Sequence, residues 1–350
     1  MNWNGMTEMR HLSREAVRAL QAELQKHQEI VLLIHHNPDG DALGSALALS
    51  MYLEQKGHQC CIISPNDFPD FLQWMPGIGK VRLAHKETDF CTRKIREAGF
   101  LFCLDLNQSK RVSLLQTALE QSKAYKALID HHIDPSDIFD FTYSVTEETS
   151  STCELVYRLI ACHFNDADKI TKEMAECLYT GIVTDTGSFS YHCDNVSTFE
   201  TAGKLMELHI NGEQIHRNIY DTYSESRVRL LGFCLSERMV VLDDYATSYI
   251  YLTKEDLQRF HFKQGDTEGI VNYGLSMKSV RFTAFFTERD GHIRISFRSK
   301  ADFDVNAYAR THFNGGGHRN AAGGEFHESM EKAIALFRST LDQYKNQLLP

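Results

Sequence analysis

Residues 32–45 read LLIHHNPDGDALGS. The apolar run Leu32–Ile34 ends in two histidines, and Asp39 and Asp41 follow one residue apart. A strand that only packed would have no use for such an ending. Two carboxylates this close repel each other at neutral pH unless positive charge lies between them. They also stand where turn and N-cap residues fall, just before a helical pattern over Ala42–Lys56. Gly44 and Ala48, small and four apart, would let that helix lie close on a sheet. The stretch reads as strand, polar turn and helix, the opening of a βαβ unit.

The first half repeats this alternation. Strands are expected at Ile30–His35, Gln59–Ser64, Phe100–Leu104 and Ala127–Asp130, and helices at Ala42–Lys56, Ser109–Ser122, Thr152–Cys162 and Lys172–Thr180. Strands alternating with helices at this spacing imply a mainly parallel sheet. From Val196 to Glu237 the pattern is polar and helical. Beyond it, Met239–Leu242, Thr247–Leu252, Phe282–Thr287 and His292–Phe297 alternate like strands, the last two around the turn ERDG. Helices are expected at Asp304–His312 and Glu328–Tyr344. The fold class is therefore α/β: a domain with a mainly parallel sheet over 1–195, a helical linker over 196–237, and a smaller α/β C-terminal domain over 238–350.

Composition narrows the function. With 350 residues, 42% of them hydrophobic, the chain can build two cores. No apolar run approaches the roughly 18 residues of a membrane span. The N-terminus carries acids and lacks the apolar centre of a secretory signal. The nine cysteines include the adjacent pair Cys60 and Cys61 but no CxxC, which fits reduced thiols and a cytoplasmic location. The net charge of −10 is uneven, since Lys278–Arg319 holds eight basic residues against four acidic ones. The acidic remainder suits cations and the basic segment suits an anion.

The acids cluster at the ends of apolar segments. The first expected strand delivers His35, Asp39 and Asp41, LFCLDLN delivers Asp105, and ALIDHH delivers Asp130, His131 and His132. GIVTDTGSFSY adds Asp185 after the helix expected to end near Thr180. In an open α/β sheet, ligands bind outside the carboxyl ends of the strands. Carboxylates there suit Mg²⁺ and Mn²⁺, and the imidazoles move the balance towards Mn²⁺ or other transition metals. Two such ions, about 3.5–4 Å apart, could share bridging aspartates.

The basic half contains FRSKADFDVNAYARTHFNGGGHRNAAGG. Gly315, Gly316 and Gly317, followed by His318, suit a loop whose amides point at an anion. Arg298, at a strand end, could fork onto a phosphate. Tyr308 and Phe313 are candidates for stacking on a base, with core packing as the alternative. No Walker motif is present.

Together HHNPDGDALGS, CLDLNQSKR, LIDHH, VTDTGSF and FRSK…FNGGGHRNAAGG resemble the DHH phosphoesterase superfamily with its DHH-associated C-terminal domain. The subfamily resembled is the bacterial oligoribonuclease of the nanoRNase/pAp-phosphatase type. The resemblance implies two Mn²⁺ ions, or Mg²⁺ or another divalent ion. His35, Asp39, Asp105 and Asp185 would hold one, and Asp41, Asp105, His131 and Asp185 the other, with Asp105 and Asp185 bridging. His132 would contact the scissile phosphate, Asp130 would orient the histidines, and Arg298 with Gly315–His318 would bind substrate phosphate. Arg319 departs from the proline or small polar residue expected there. The implied activity is hydrolysis of short oligoribonucleotides (nanoRNA) or 3′-phosphoadenosine 5′-phosphate by two-metal attack on phosphorus. An exopolyphosphatase or pyrophosphatase and a catalytically idle nucleotide-binding protein stay open as alternatives. The expected partner is a short RNA or nucleotide bisphosphate and no membrane, with a homodimer left open.

Overall fold

A computed structural model describes residues 12–263 and 265–349, so the extreme N-terminus read above lies, through residue 11, outside the described residues. The chain divides into two units, Met1–Thr222 and Tyr223–Pro350.

The first unit is built on six strands: β1 (Glu29–Leu33), β2 (Gln59–Ser64), β3 (Val81–Leu83), β4 (Phe100–Leu104), β5 (Tyr125–Asp130) and β6 (Phe141–Ser144). Their order is β3-β2-β1-β4-β5-β6, and every pairing is parallel. Alternate residues of the central strands feed different cores, as expected when helices cover both faces. Ile30, Leu32, Phe100 and Phe102 pack with the helices Gly40–Gln55, Thr152–Arg158 and Lys172–Asp185. Val31, Leu33, Leu101 and Cys103 pack on the other side with Thr88–Glu97 and Gln116–Gln121. The edge strands β3 and β6 escape a reading of the sequence because three or four residues are too few to show a period.

The strand order reverses between β1 and β4. The chain winds outward from β1 through β2 to β3, then returns to lay β4 on the other side of β1. Such a switch point leaves a crevice at the carboxyl ends of the two strands.

Two expectations need correction. The helix expected to stop near Thr180 continues to Asp185, which therefore ends a helix and does not follow a strand. Gly181 does not break it. A Cβ there would lie 2.2 Å from Cys153 Sγ and 2.9 Å from Asp41 Oδ1, so the glycine is what lets these elements approach. Gly44 likewise serves a helix and not the sheet, since its Cβ would meet the Cys177 carbonyl at 2.4 Å.

The second unit holds a mixed sheet, with strands β7 (Met239–Leu242), β8 (Thr247–Leu252), β9 (Phe282–Arg289), β10 (His292–Ser299), β11 (Gly316–His318) and β12 (Ala321–Phe326). The order is β11-β12-β10-β9-β8-β7, antiparallel except between β8 and β9. Phe282, Phe286, Phe297 and Phe337 form its core with Tyr308 and Phe313. These last two are each 1% exposed, which removes them as base-stacking surfaces. The stretch 196–237 is split: Val196–Met206 and Gly212–Tyr220 belong to the first unit and Glu225–Phe233 to the second.

Gly316–His318 is a strand and not the open loop read from the sequence. It pairs with Ala321–Gly323 in a tight hairpin. A Cβ on Gly315 would lie 1.9 Å from the Gly323 carbonyl, and Gly317 has φ +150°. The Gly315 amide donates to the Ala309 carbonyl and the Gly317 amide to Asn306 Oδ1 at 3.0 Å. The glycines thus have a structural reason of their own.

Candidate metal centre

The switch point gathers all the acidic and imidazole side chains singled out in the first unit. Beyond β1, Asn37 takes a left-handed conformation (φ 56°) and the chain turns into the helix Gly40–Gln55. Asp39 caps that helix, its Oδ1 accepting from the Asp41 and Ala42 amides at 3.0 and 3.1 Å. Only one oxygen is used in this way, so capping leaves Oδ2 to face the crevice.

Asp41 is fully buried, and burial of an unpaired carboxylate is costly. The cost is offset by two backbone donors. The Thr152 amide reaches Asp41 Oδ2 at 2.7 Å and the Cys153 amide reaches Oδ1 at 2.8 Å. The turn supplying them is fixed by buried Glu154, which accepts from the Ser150 amide and hydroxyl and pairs with Arg158.

Asp105 follows β4 at φ 57° and lies at the centre of the cluster. Its Oδ2 is 3.1 Å from His35 Nε2, while Oδ1 lies 3.5 Å from His131 Nε2 and 3.3 Å from His132 Nδ1. The Thr152 hydroxyl donates to Oδ1 at 3.2 Å. Two sets of donor atoms close enough for a metal ion, His35–Asp39–Asp105 and Asp41–Asp105–His131, share this carboxylate. Asp185 Oδ2 joins through His131 Nε2 at 3.5 Å.

The histidines are oriented differently. His35 Nδ1 donates to the His36 carbonyl at 2.9 Å, which directs Nε2 at Asp105. His131 turns Nε2 toward Asp41, Asp105 and Asp185. Burial, with the neighbouring charge of His132, pushes its pKa down to about 4, so it is neutral and able to ligate. For His132 burial acts in the same sense, but hydrogen bonds to Asp105 and Asp130 overcome it and push its pKa up to about 9. Adjacent imidazoles set so far apart have different roles. Asp130 Oδ1 holds His132 Nδ1 at 2.8 Å, while its buried Oδ2 has no hydrogen-bond partner among the described residues.

Asp41 and Asp185 have carboxyls raised well above the ordinary range, first by burial and then by repulsion from neighbouring aspartates. Asp105 is held low despite its burial, by His132 and His35. Carboxylates that repel each other, beside imidazoles presenting lone pairs, are a donor set fitted to divalent ions. These side chains form a candidate divalent-metal centre.

A linked pH dependence follows. Raised carboxyl pKa values mean that the folded, ion-free chain holds protons on Asp41 and Asp185 that the unfolded chain releases. Their contribution to stability is full below the unfolded values, about 3.9, and is lost as pH rises through the folded ones. Asp105 acts in the opposite sense, losing its contribution as pH falls. Divalent ions bound at these groups would displace the protons on Asp41 and Asp185. At 100 times its Kd, Mn²⁺ should add about 2.7 kcal/mol, or roughly 5–10 °C in melting temperature. At one fixed Mn²⁺ concentration the gain should be larger at pH 7.5 than at pH 5 and accompanied by proton release. Calorimetry at the two pH values checks this, and an equal gain at both would place the ions elsewhere.

Comparison with known proteins agrees with this geometry. The DHH family N-terminal domain matches residues 29–182, and the DHHA1 domain matches 244–347. The crystal structure of an exopolyphosphatase-related protein from Bacteroides fragilis is 41% identical, with a TM-score of 0.93 over 98% of this chain and 100% of that one. The chain belongs to the DHH phosphoesterase superfamily. The bifunctional oligoribonuclease and PAP phosphatase NrnA of Bacillus subtilis is 26% identical over 85% of this chain and 89% of its own. This member is therefore of the nanoRNase type and hydrolyses phosphoester bonds. RecJ of Thermus thermophilus, solved with Mn²⁺, shares the fold at 12% identity and a TM-score of 0.55, over 95% of this chain and 54% of that one.

The sequence reading overlooked Thr152, Cys153 and Arg111. The first two act chiefly through backbone amides, which no side-chain motif announces. Arg111 closes the motif CLDLNQSKR, in which the sequence reading gave a role to Asp105 alone.

Proposed function

We propose that the protein is a Mn²⁺-dependent cytoplasmic phosphoesterase acting on short oligoribonucleotides and 3′-phosphoadenosine 5′-phosphate. The observation that carries this is the meeting of two metal-sized donor sets on one buried carboxylate, Asp105. Agreement with the NrnA relatives supports the choice of substrate. For location, no helix among the described residues is long and apolar enough to cross a membrane.

In this reading His35, Asp39, Asp105 and Asp185 hold one ion, and Asp41, Asp105, His131 and Asp185 the other. Bound ions supply Lewis acidity and a nucleophilic water at neutral pH. His131, kept neutral by burial and by the neighbouring charge of His132, has a lone pair for ligation. His132, held by Asp130, donates to the phosphate as negative charge grows on its oxygens.

Arg298 and the Gly315–His318 strand are assigned to a second phosphate of the substrate. Arg298 lies on β10 opposite Ala321 of the hairpin, and its Nη1 donates to the Phe297 carbonyl at 2.9 Å. Losing one charge-assisted contact costs about 1.5–3 kcal/mol, or roughly one to two decades in kcat/KM. Arg298→Ala should slow turnover of pAp and dinucleotides by that factor. It should leave a small chromogenic phosphodiester, which has no second phosphate, almost untouched. Equal losses on both, with a lower melting temperature, would make Arg298 a structural residue.

The name of the Bacteroides relative favours polyphosphate as a second reading. One panel decides between the two: pAp, di- and pentaribonucleotide, cyclic di-AMP, pyrophosphate and polyphosphate, each with Mn²⁺. Faster release of orthophosphate from polyphosphate than from pAp would overturn the nucleotide assignment.

A further inference from the structure

Arg111 lies in the 3₁₀ stretch Ser109–Leu115, six residues after Asp105. Its carbonyl accepts the His36 amide at 2.7 Å, which ties it to the turn carrying His35. Its side chain reaches the other histidine-bearing segment, with Nη1 3.3 Å from both ring nitrogens of His132. The residue thus bridges the chain ends of β1 and β5 at the mouth of the centre.

The partner is unusual. A guanidinium has five N–H donors and no acceptor, and it ordinarily turns them on carboxylates. Arg111 joins none of the ion pairs among the described residues, although its charge lowers the carboxyl of Asp185, and it faces an imidazole. Among the described residues its side-chain hydrogen-bonding contacts are those of Nη1 to that ring, which leaves Nε and Nη2 for a fork. A guanidinium fork and an imidazole donor side by side match the oxygens of a phosphate bidentately. Placed beside the carboxylates that hold the ions, the pair meets a phosphate bound at the metals and not one farther along the substrate.

We propose that Arg111 is a substrate-binding residue which, with His132, clamps the phosphate under attack. This rests on the phosphoesterase reading above and adds to it a contact that the sequence reading did not assign. It also separates two arginines by task. Arg111 serves the phosphate every substrate has, whereas Arg298 serves one that only some have.

The test uses the full-length protein with Mn²⁺ and orthophosphate as the probe, read by phosphorus relaxation from the bound ions, so that it does not depend on turnover. Arg111→Met, close in shape but without charge, should bind Mn²⁺ within about threefold of the parent. Its orthophosphate affinity should fall by roughly 10–100-fold. Turnover of pAp and of the small chromogenic phosphodiester should fall alike, and Arg111→Lys should recover part of each. Unchanged orthophosphate affinity overturns the proposal. So does loss of Mn²⁺, or a lower melting temperature in chelator, with phosphate binding intact per loaded site, because Arg111 would then be a structural brace. If the parent turns over none of the phosphoesters but Arg111→Met still loses orthophosphate, the substrate reading fails and the clamp stands.

Discussion

Replacing Asp105 with asparagine should remove both Mn²⁺ ions together and lower phosphoesterase turnover on the order of 10³-fold or more. That exceeds the 10²–10³-fold typical of losing one transition-state donor. Asp105 is the member common to the His35–Asp39 and Asp41–His131 sets, so both ions depend on this carboxylate. Asparagine keeps the shape and can still accept from the Thr152 hydroxyl, which separates the charge from the packing. Metal content by atomic absorption and turnover of pAp check the result. A variant retaining both ions and near-parental activity would take Asp105 out of the centre.

His132→Ala should behave in the opposite way, keeping Mn²⁺ while turnover falls by roughly 10²–10³-fold. His132 directs Nδ1 to Asp130 at 2.8 Å, and its raised pKa makes it a charged donor, whereas His131 is kept neutral. Asp130→Asn should then show an intermediate loss, about 10–100-fold, as expected when an orienting partner is removed. Calorimetric titration with Mn²⁺ beside steady-state kinetics separates the two roles. Should His132→Ala release an ion, the division of labour between the adjacent histidines is wrong.

Much of this centre is legible in one dimension. Strands that end in acids and histidines name their own ligands, because a parallel sheet puts the carboxyl ends of its strands on one side. His35, Asp39, Asp41, Asp105, Asp130, His131 and His132 are readable on that rule alone. Asp185 reaches the centre for a different reason than its sequence context suggests. It ends a helix brought in by close packing at Gly181, and nothing local distinguishes that glycine from a helix stop. Conversely, the run Gly315–Gly317 reads as a ligand loop and is a hairpin whose glycines answer to the opposing backbone at Gly323 and Ala321.

The sequence by itself determined the alternation of strands and helices, the parallel sheet it implies, and the residue types offered at the strand ends. Those follow from periodicity and composition, which act over a few residues. Only the tertiary structure decided that Asp39 spends one carboxylate oxygen on backbone amides while Asp41 spends both. It also decided which of two adjacent histidines is neutral, and that Arg111 meets His132. These depend on burial and on donors more than a hundred residues away, as Thr152 is from Asp41. Electrostatics in a low-dielectric interior is set by neighbours in space, and the chain's order does not contain them.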